Sequence, residues 1–320
     1  MITNGLHANG NRLPADVGKG DVVCFGLLTH CLLLKVDELP EHNGGAPILD
    51  SMESLGDDAA IAASILTSWN VPTRLITSPT GDDSRGERVR EHLDAWGVNV
   101  QQDIKDGWPT PFEVSIIDPD GGRTYFQRRD PASMAELRPP DSSQLKGAGL
   151  LYVDWYDGPS VVHAVRDAVS QDVPVYLNLE SQYDGESWIT DMIGEATICQ
   201  VSLDIPEASG DPTDIARTLI NRGVEMAVVT MGADGCVVAR GEEAYLVRPP
   251  QVDVVDGNGA GAACSAGVMY GLWAGWSLEE IGRFAAAYAG LKCSMTGIAE
   301  VPVSDVQKTA ASVEAQPLQL

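Results

Sequence analysis

From about residue 148 onward the chain alternates strand-like apolar runs with helix-like ones, and few architectures accept that pattern. Residues 149–154 read as a strand, 160–171 as a helix and 173–179 as a strand. The strand over 196–201, helix over 211–222 and strand over 224–230 repeat the pattern. The strand runs are apolar at consecutive positions, as strands buried on both faces are. Alternation with helices then predicts a mostly parallel sheet covered on both sides, an α/β fold. The earlier part adds strands over 21–28, 32–39 and 71–77 and helices over 58–69 and 85–96, the last stopped by Gly97 as a C-cap. Two stretches, 112–118 and 123–128, flank Pro-Asp-Gly-Gly and read as a hairpin. They do not fit the parallel sheet and predict an antiparallel flap at its edge, with flap segments near 28–50 and 108–130. A second hairpin spans 235–239 and 243–248, and helices follow over 259–273 and 278–296. Residues 1–20 and 306–320 read as tails around one domain, 21–305.

Charge narrows the partners. The net charge of −25 excludes a nucleic-acid binder that works by neutralising phosphates, and it disfavours anionic membranes. At 44% hydrophobic residues the chain has ample core. Its apolar runs are shorter than the ~20 residues of a spanning helix, and the start has no basic-then-apolar signal pattern, so a cytoplasmic protein is expected. Cys24, Cys31, Cys199, Cys236, Cys264 and Cys293 lack C-x-x-C spacing, sit mostly in apolar runs and read as buried free thiols. The scattered His30, His42, His92 and His163 read as packed or solvated, and Asp82 and Asp83 as turn residues. Arg128 and Arg129 end a flap strand and read as surface charge. Trp96, Trp108 and Trp155 read as core or flap packing.

The most informative stretch is VVDGNGAGAACSAG, residues 254–267. Gly257, Gly259 and Gly261 precede an Ala-rich helix. Free backbone N–H groups and the positive end of a helix meet there, and both favour a phosphate. The same spacing would serve a tight strand-to-helix turn with no ligand. It is not a Walker loop, because no Gly-Lys-Ser/Thr follows, and it opens a helical C-terminal stretch rather than a βαβ unit. Upstream, VVTMGADGCVV over 228–238 reads on its own as a hairpin.

In order, TMGADG, VVDGNGAGAACSAG and RFAAAYAGLKCSMTG resemble the C-terminal half of the PfkB (ribokinase-like) carbohydrate kinases. The last is particularly similar to ketohexokinases. LGDDAAIAASIL stands where the family has its Gly-Gly-Asn/Asp motif and TGDDSRG where it has Gly-Asp-Asp-x-x-Gly. The resemblance covers roughly 21–300. It implies a three-layer fold with a β-flap that closes over a sugar or nucleoside and often mediates homodimerisation. ATP and Mg2+ would serve phosphoryl transfer to a hydroxyl. Thr230, Gly232, Gly235, Asn258, Ala286, Ala289 and Gly290 would approach the nucleotide. Gly259, Ala260 and Gly261 would form the anion hole. Gly56 and Asp57 would lie in the substrate motif, and Asp256 and Gly297 would bind a monovalent cation such as K+.

The chain also departs from that family. Its Gly-Ala-Gly-Asp motif ends here in Ala262, which cannot take a proton from the attacking hydroxyl; losing such a base costs ~10²–10⁴-fold. A sugar-holding Asp aligns with Cys31, and the Asn of the Gly-Gly-Asn motif with Ala60. The Asn-x-x-Glu pair that organises magnesium aligns with Ser202 and Ile205, and a carboxylate on the preceding strand with Asn178. An engineered change would account for Ala262 alone. Cys31, Ala60 and Ala262 would leave a polyol's hydroxyls unpaired, at ~1–3 kcal/mol each. The readings are a protein that binds a nucleotide, a metabolite or a partner with phosphoryl transfer impaired or lost, an active kinase on an unusual substrate with the base supplied by the substrate or by a nearby carboxylate, and a dimeric scaffold with a vestigial pocket.

Overall fold

The computed structural model describes residues 20–128, 131–204 and 208–320. Residues 1–19 of the expected tail, Arg129 and Ile205 lie outside them. The first half forms β1 (Asp21–Gly26), β2 (Thr29–Val36), β3 (Ile48–Gly56), α1 (Asp58–Ser68), β4 (Thr73–Thr77), β5 (Thr80–Gly81), α2 (Ser84–Ala95), β6 (Asn99–Gln101), β7 (Ile104–Lys105), β8 (Phe112–Ile117) and β9 (Arg123–Arg128). Next come α3 (Pro131–Ala135), α4 (Ser142–Leu145), β10 (Ala148–Asp154), α5 (Pro159–Ser170), β11 (Val175–Asn178), α6 (Ser187–Glu195), β12 (Ile198–Ser202), α7 (Pro212–Asn221) and β13 (Met226–Thr230). The chain closes with β14 (Cys236–Arg240), β15 (Glu243–Val247), α8 (Ala260–Trp273), α9 (Leu278–Cys293), α10 (Val303–Ala310) and β16 (Ala315–Gln319).

Among the described residues the central sheet runs β16-β15-β14-β13-β12-β11-β10-β1-β4-β6. Neighbours from β6 to β13 are parallel. The remaining three strands are added antiparallel. Because side chains alternate along a strand, β1 feeds two cores. Val22 and Cys24 join Ile65, Met269 and Phe284 of α1, α8 and α9 on one face. Val23 and Phe25 join Val165, Ile193 and Leu219 of α5, α6 and α7 on the other. Helix α8 approaches α9 closely because Gly267 has no Cβ; one built there would sit 2.6 Å from the Ala285 Cα.

The flap is a separate sheet ordered β3-β2-β8-β9, with β2 and β8 parallel and the outer pairs antiparallel. The hairpin tip is fixed by Asp118, whose Oδ1 accepts from the Asp120 and Gly122 N–H groups at 3.0 and 2.8 Å. Gly257 N–H donates to the Gly121 carbonyl at 3.1 Å, so the tip rests on the glycine-rich loop. Residues 306–320 do not trail away as expected. They complete α10 and supply β16, which pairs with β15 and sets Pro317 opposite Tyr245. A proline is tolerated there because β16 is an edge strand. No described helix is long and apolar enough to cross a membrane.

Candidate functional site

A cleft of about 1050 Å³ opens beyond the C-terminal ends of β11, β12 and β13, between the sheet and the flap. Open α/β sheets place ligands at these strand ends. Of the residues singled out from sequence, Gly56, Asp57, Thr230, Gly232, Gly235, Asn258, Gly259, Ala260, Gly261, Ala286, Ala289 and Gly290 line it. Cys31, Ala60 and Ala262 do not: each is fully buried.

The C-terminal motifs build one half of the cleft almost entirely from backbone. Helix α8 starts at Gly259, whose φ of 75° is left-handed, and no side chain caps its first turn. The Ala260 N–H donates to the Gly257 carbonyl at 3.4 Å, and those of Gly261 and Ala262 are left without a backbone partner among the described residues, where the positive end of the helix meets the cleft. Gln200 ties this start to the sheet. Its Nε2 donates to the Gly261 carbonyl at 3.3 Å, while its Oε1 accepts from Tyr176 at 2.6 Å and Ser265 at 3.1 Å. Gly235 takes φ 97°, and a Cβ there would lie 2.0 Å from the Val247 carbonyl oxygen. That turn therefore admits only glycine. Thr230 donates to the Ser202 hydroxyl at 3.1 Å, and Ser202 donates to Asp204. Ala286, Ala289 and Gly290 of α9 line the cleft beside residues 249–252, and Gly290 is required by packing, its Cβ position lying 2.9 Å from Pro250.

The other half is built from side chains, and sequence reasoning missed most of them. In place of Cys31, the neighbouring flap strand presents Glu113, which lines the cleft, accepts from the Cys31 thiol at 3.6 Å and is bonded by Gln127 at 2.8 Å. Asp57, bonded by the Thr29 hydroxyl, takes φ 67° and ψ 136°. Glu180, just past β11, has φ 45°. Non-glycine residues in such backbone regions cost about 1–3 kcal/mol each, and cluster where function holds them. Hydrogen-bonding side chains therefore do line this half of the cleft, although Cys31, Ala60 and Ala262 supply none of them. They stand at other positions.

The nearest of them to the start of α8 is Asp58, at the first position of α1. A Cβ built on Gly261 would lie 3.9 Å from the Asp58 Oδ2. Asn178 Nδ2 donates to that oxygen at 3.1 Å and to Asp154 Oδ1 at 2.9 Å. Burial, with the charges of Asp154 and Glu180, pushes the Asp58 pKa well above the usual carboxylate range, while Arg123 pulls the other way. Arg123, from the flap tip, donates to the Gly257 carbonyl at 3.1 Å. Trp155, expected in packing, lines the cleft with Tyr156, and its buried indole N–H has no partner among the described residues.

Asp256 and Gly297 do meet, the Gly297 N–H donating to Asp256 Oδ2 at 2.8 Å. The place expected for K+ beside them is taken by the Lys292 ammonium, 3.2 Å from the same oxygen. The residues there do not fit a further cation. Asp83 caps α2 and accepts from Gly86 N–H at 2.7 Å and Thr110 Oγ1 at 2.6 Å, which is structural work.

The architecture is the ribokinase-like α/β fold. It superimposes on the ribokinase of Arabidopsis thaliana complexed with ribose and ATP at TM-score 0.72, with 20% identity over 91% of this chain and 98% of that one. The nucleoside kinase of Methanocaldococcus jannaschii matches at TM-score 0.74, with 18% identity over 91% and 98%. The chain belongs to the pfkB family of carbohydrate kinases, whose model matches residues 59–304. Among relatives, the ATP-dependent ribose-1-phosphate kinase of Halopiger xanaduensis is 22% identical over 89% of this chain and 95% of its own. The 1-phosphofructokinase of Escherichia coli is 31% identical over 35% of this chain and 36% of its own. An uncharacterized sugar kinase of Archaeoglobus fulgidus is 36% identical over 27% and 34%. These last two matches span about a third of those relatives' length.

Proposed function

We propose that the protein transfers the terminal phosphoryl group of ATP to a hydroxyl of a small sugar or nucleoside, with Asp58 rather than residue 262 as the proton acceptor. The observation that carries this is the Asp58 carboxylate beside the start of α8, within 3.9 Å of the Gly261 Cβ position. The raised proton affinity of Asp58 suits a base working nearer neutral pH. Backbone N–H groups of Gly259, Ala260 and Gly261 would stabilise charge on the transferring group. The part of the cleft lined by α9 and residues 249–252 would hold the base of the nucleotide. Mg2+ would offset phosphate charge in this acidic cleft, and Ser202, Asp204 and Glu180 are the oxygen donors on that side. Glu113, Gln127, Asp57, Trp155 and Tyr156, which line the cleft, would position the acceptor.

The test is ADP release with Mg·ATP across a panel of sugars, sugar phosphates and nucleosides, for the parent and Ala262→Asp. Turnover by the parent with one acceptor supports the proposal. Turnover by Ala262→Asp alone means that Ala262 blocks the chemistry, and the protein is an impaired kinase that binds its ligands. If neither variant turns over and no ligand raises Tm, the pocket is vestigial.

The flap supports a homodimer. The registers of β2, β8 and β9 put Leu32, Val114 and Phe126 in one row across the flap, with Leu34 and Ile116 on the same face. Phe126 is 63% exposed. Apolar surface left open in this way is what a second copy would cover. Light scattering should give a dimer, and Phe126→Asp a monomer; a monomeric parent contradicts this.

A further inference from the structure

Lys292 lies in the last turn of α9, and its side chain is buried, with 3% exposure. A buried ammonium must find oxygen partners or lose its charge. Here both partners come from one residue. Lys292 Nζ donates to the Asp256 carbonyl at 2.8 Å and lies 3.2 Å from Asp256 Oδ2. Asp256 is itself fully buried. Its Oδ1 accepts from the Asn258 N–H at 2.8 Å and its Oδ2 from the Gly297 N–H at 2.8 Å. Its own N–H and that of Val255 donate to the Cys293 carbonyl at 3.1 and 2.8 Å. The ion pair thus fastens the loop leading into Gly259 to the end of α9.

The charges balance without help, one ammonium against one carboxylate. The space left over is small: the cavity lined by Lys292, Asn258, Gly259 and Gly297 measures about 10 Å³, room for one water molecule. A metal cation would need several oxygen ligands, and two that Asp256 could offer are already engaged. Burial pulls the Lys292 pKa down and Asp256 pulls it back.

We propose that the Lys292 ammonium is a built-in cation standing where a monovalent ion would otherwise bind, and that it holds the anion-binding loop in shape without one. Preorganised backbone donors are worth most when their geometry needs no adjustment at the moment of use. An internal cation provides this at any potassium concentration.

The test titrates KCl against N-methylglucamine chloride at constant ionic strength, with NaCl as a second comparison, on the full chain. Two readouts are followed, the Tm of the ligand-free protein and the Kd for Mg·ADP. Only the second rests on the proposed nucleotide site; failure to bind Mg·ADP in every salt would count against that site, while the first still decides this proposal. For the parent, both should be indifferent to which cation is present. Lys292→Ala, which removes the ammonium and opens space, should lose Tm in N-methylglucamine and regain it saturably and selectively with potassium. Its Kd should weaken by about 10-fold or more and recover in the same titration. Lys292→Met fills the space without charge and should show no recovery. A saturable, potassium-selective gain in the parent overturns the proposal. So does a Lys292→Ala variant that folds and behaves like the parent in every salt. If Lys292→Ala fails to fold, the parent's titration decides.

Discussion

The two halves of the cleft are made of different material. The half proposed for the nucleotide is a set of backbone turns, with Gly235, Gly259 and Gly261 lining it. The half proposed for the acceptor is a set of side chains: Cys31, Ala60 and Ala262 are buried away from the cleft, while carboxylates line it at Asp58 and Glu113. A site made from backbone is tied to the residues that allow its φ and ψ. A site made from side chains can be served from any neighbouring strand or helix that reaches the same point. Loss of a residue from a motif is therefore not loss of the chemical group from the pocket.

The contrast can be broken from either side. The largest effect is expected at Asp58. Asp58→Asn keeps the shape and removes the base, so turnover should fall by about 10²–10⁴-fold while the Kd for nucleotide stays close to that of the parent. A parallel loss of nucleotide binding would mean that the two halves are not separable. Turnover should also fall as pH drops through the Asp58 pKa, because the base must be unprotonated. With that pKa raised, the fall should begin above the usual carboxylate range.

Gly235→Ala tests the backbone half. The substitution forces a Cβ to within 2.0 Å of the Val247 carbonyl at φ 97°. Strain of this kind costs about 1–3 kcal/mol before the clash is counted. Both Tm and nucleotide affinity should drop; unchanged values would mean that the turn is soft.

The smallest effect is expected at Asp154, which lies under the acceptor half. Its Oδ1 accepts from Tyr152 at 2.8 Å and Asn178 at 2.9 Å, and its other oxygen has no partner among the described residues. Burial and Asp157 push its pKa well up, so the folded state holds the proton more tightly than the unfolded chain does. The stability this contributes is present at low pH and is lost as pH rises through the folded pKa. Asp154→Asn removes that loss. Its Tm should exceed the parent's at high pH, and the gap should close on acidification. A constant gap would show that the carboxyl is not the source.

Much of this was legible in the sequence. The parallel sheet followed from consecutive apolar runs alternating with helices, and the flap hairpin from Pro-Asp-Gly-Gly. β3 was not, because its six exposed positions mix Ile48, Leu49 and Met52 with Asp50, Ser51 and Glu53 and show no alternation. Nor was β16, whose Pro317 reads as a strand breaker away from an edge. In the site, glycine spacing revealed the α8 start. Glu113 and Glu180 left no local signal, because their roles arise only when separate strands meet. Lys292 did carry one: it is the single charge between Leu291 and Cys293 on an otherwise apolar stretch. Asp58 was inside a recognised motif, yet its nearness to Gly261 depends on α1 and α8 starting side by side.

The most direct test of this division measures one preparation of Asp58→Asn two ways, by calorimetric titration with Mg·ADP and by ADP release from Mg·ATP with the acceptor the parent uses. The account predicts unchanged nucleotide affinity with turnover all but lost. Turnover equal to the parent's would contradict it, and would move the proton acceptor elsewhere in the cleft.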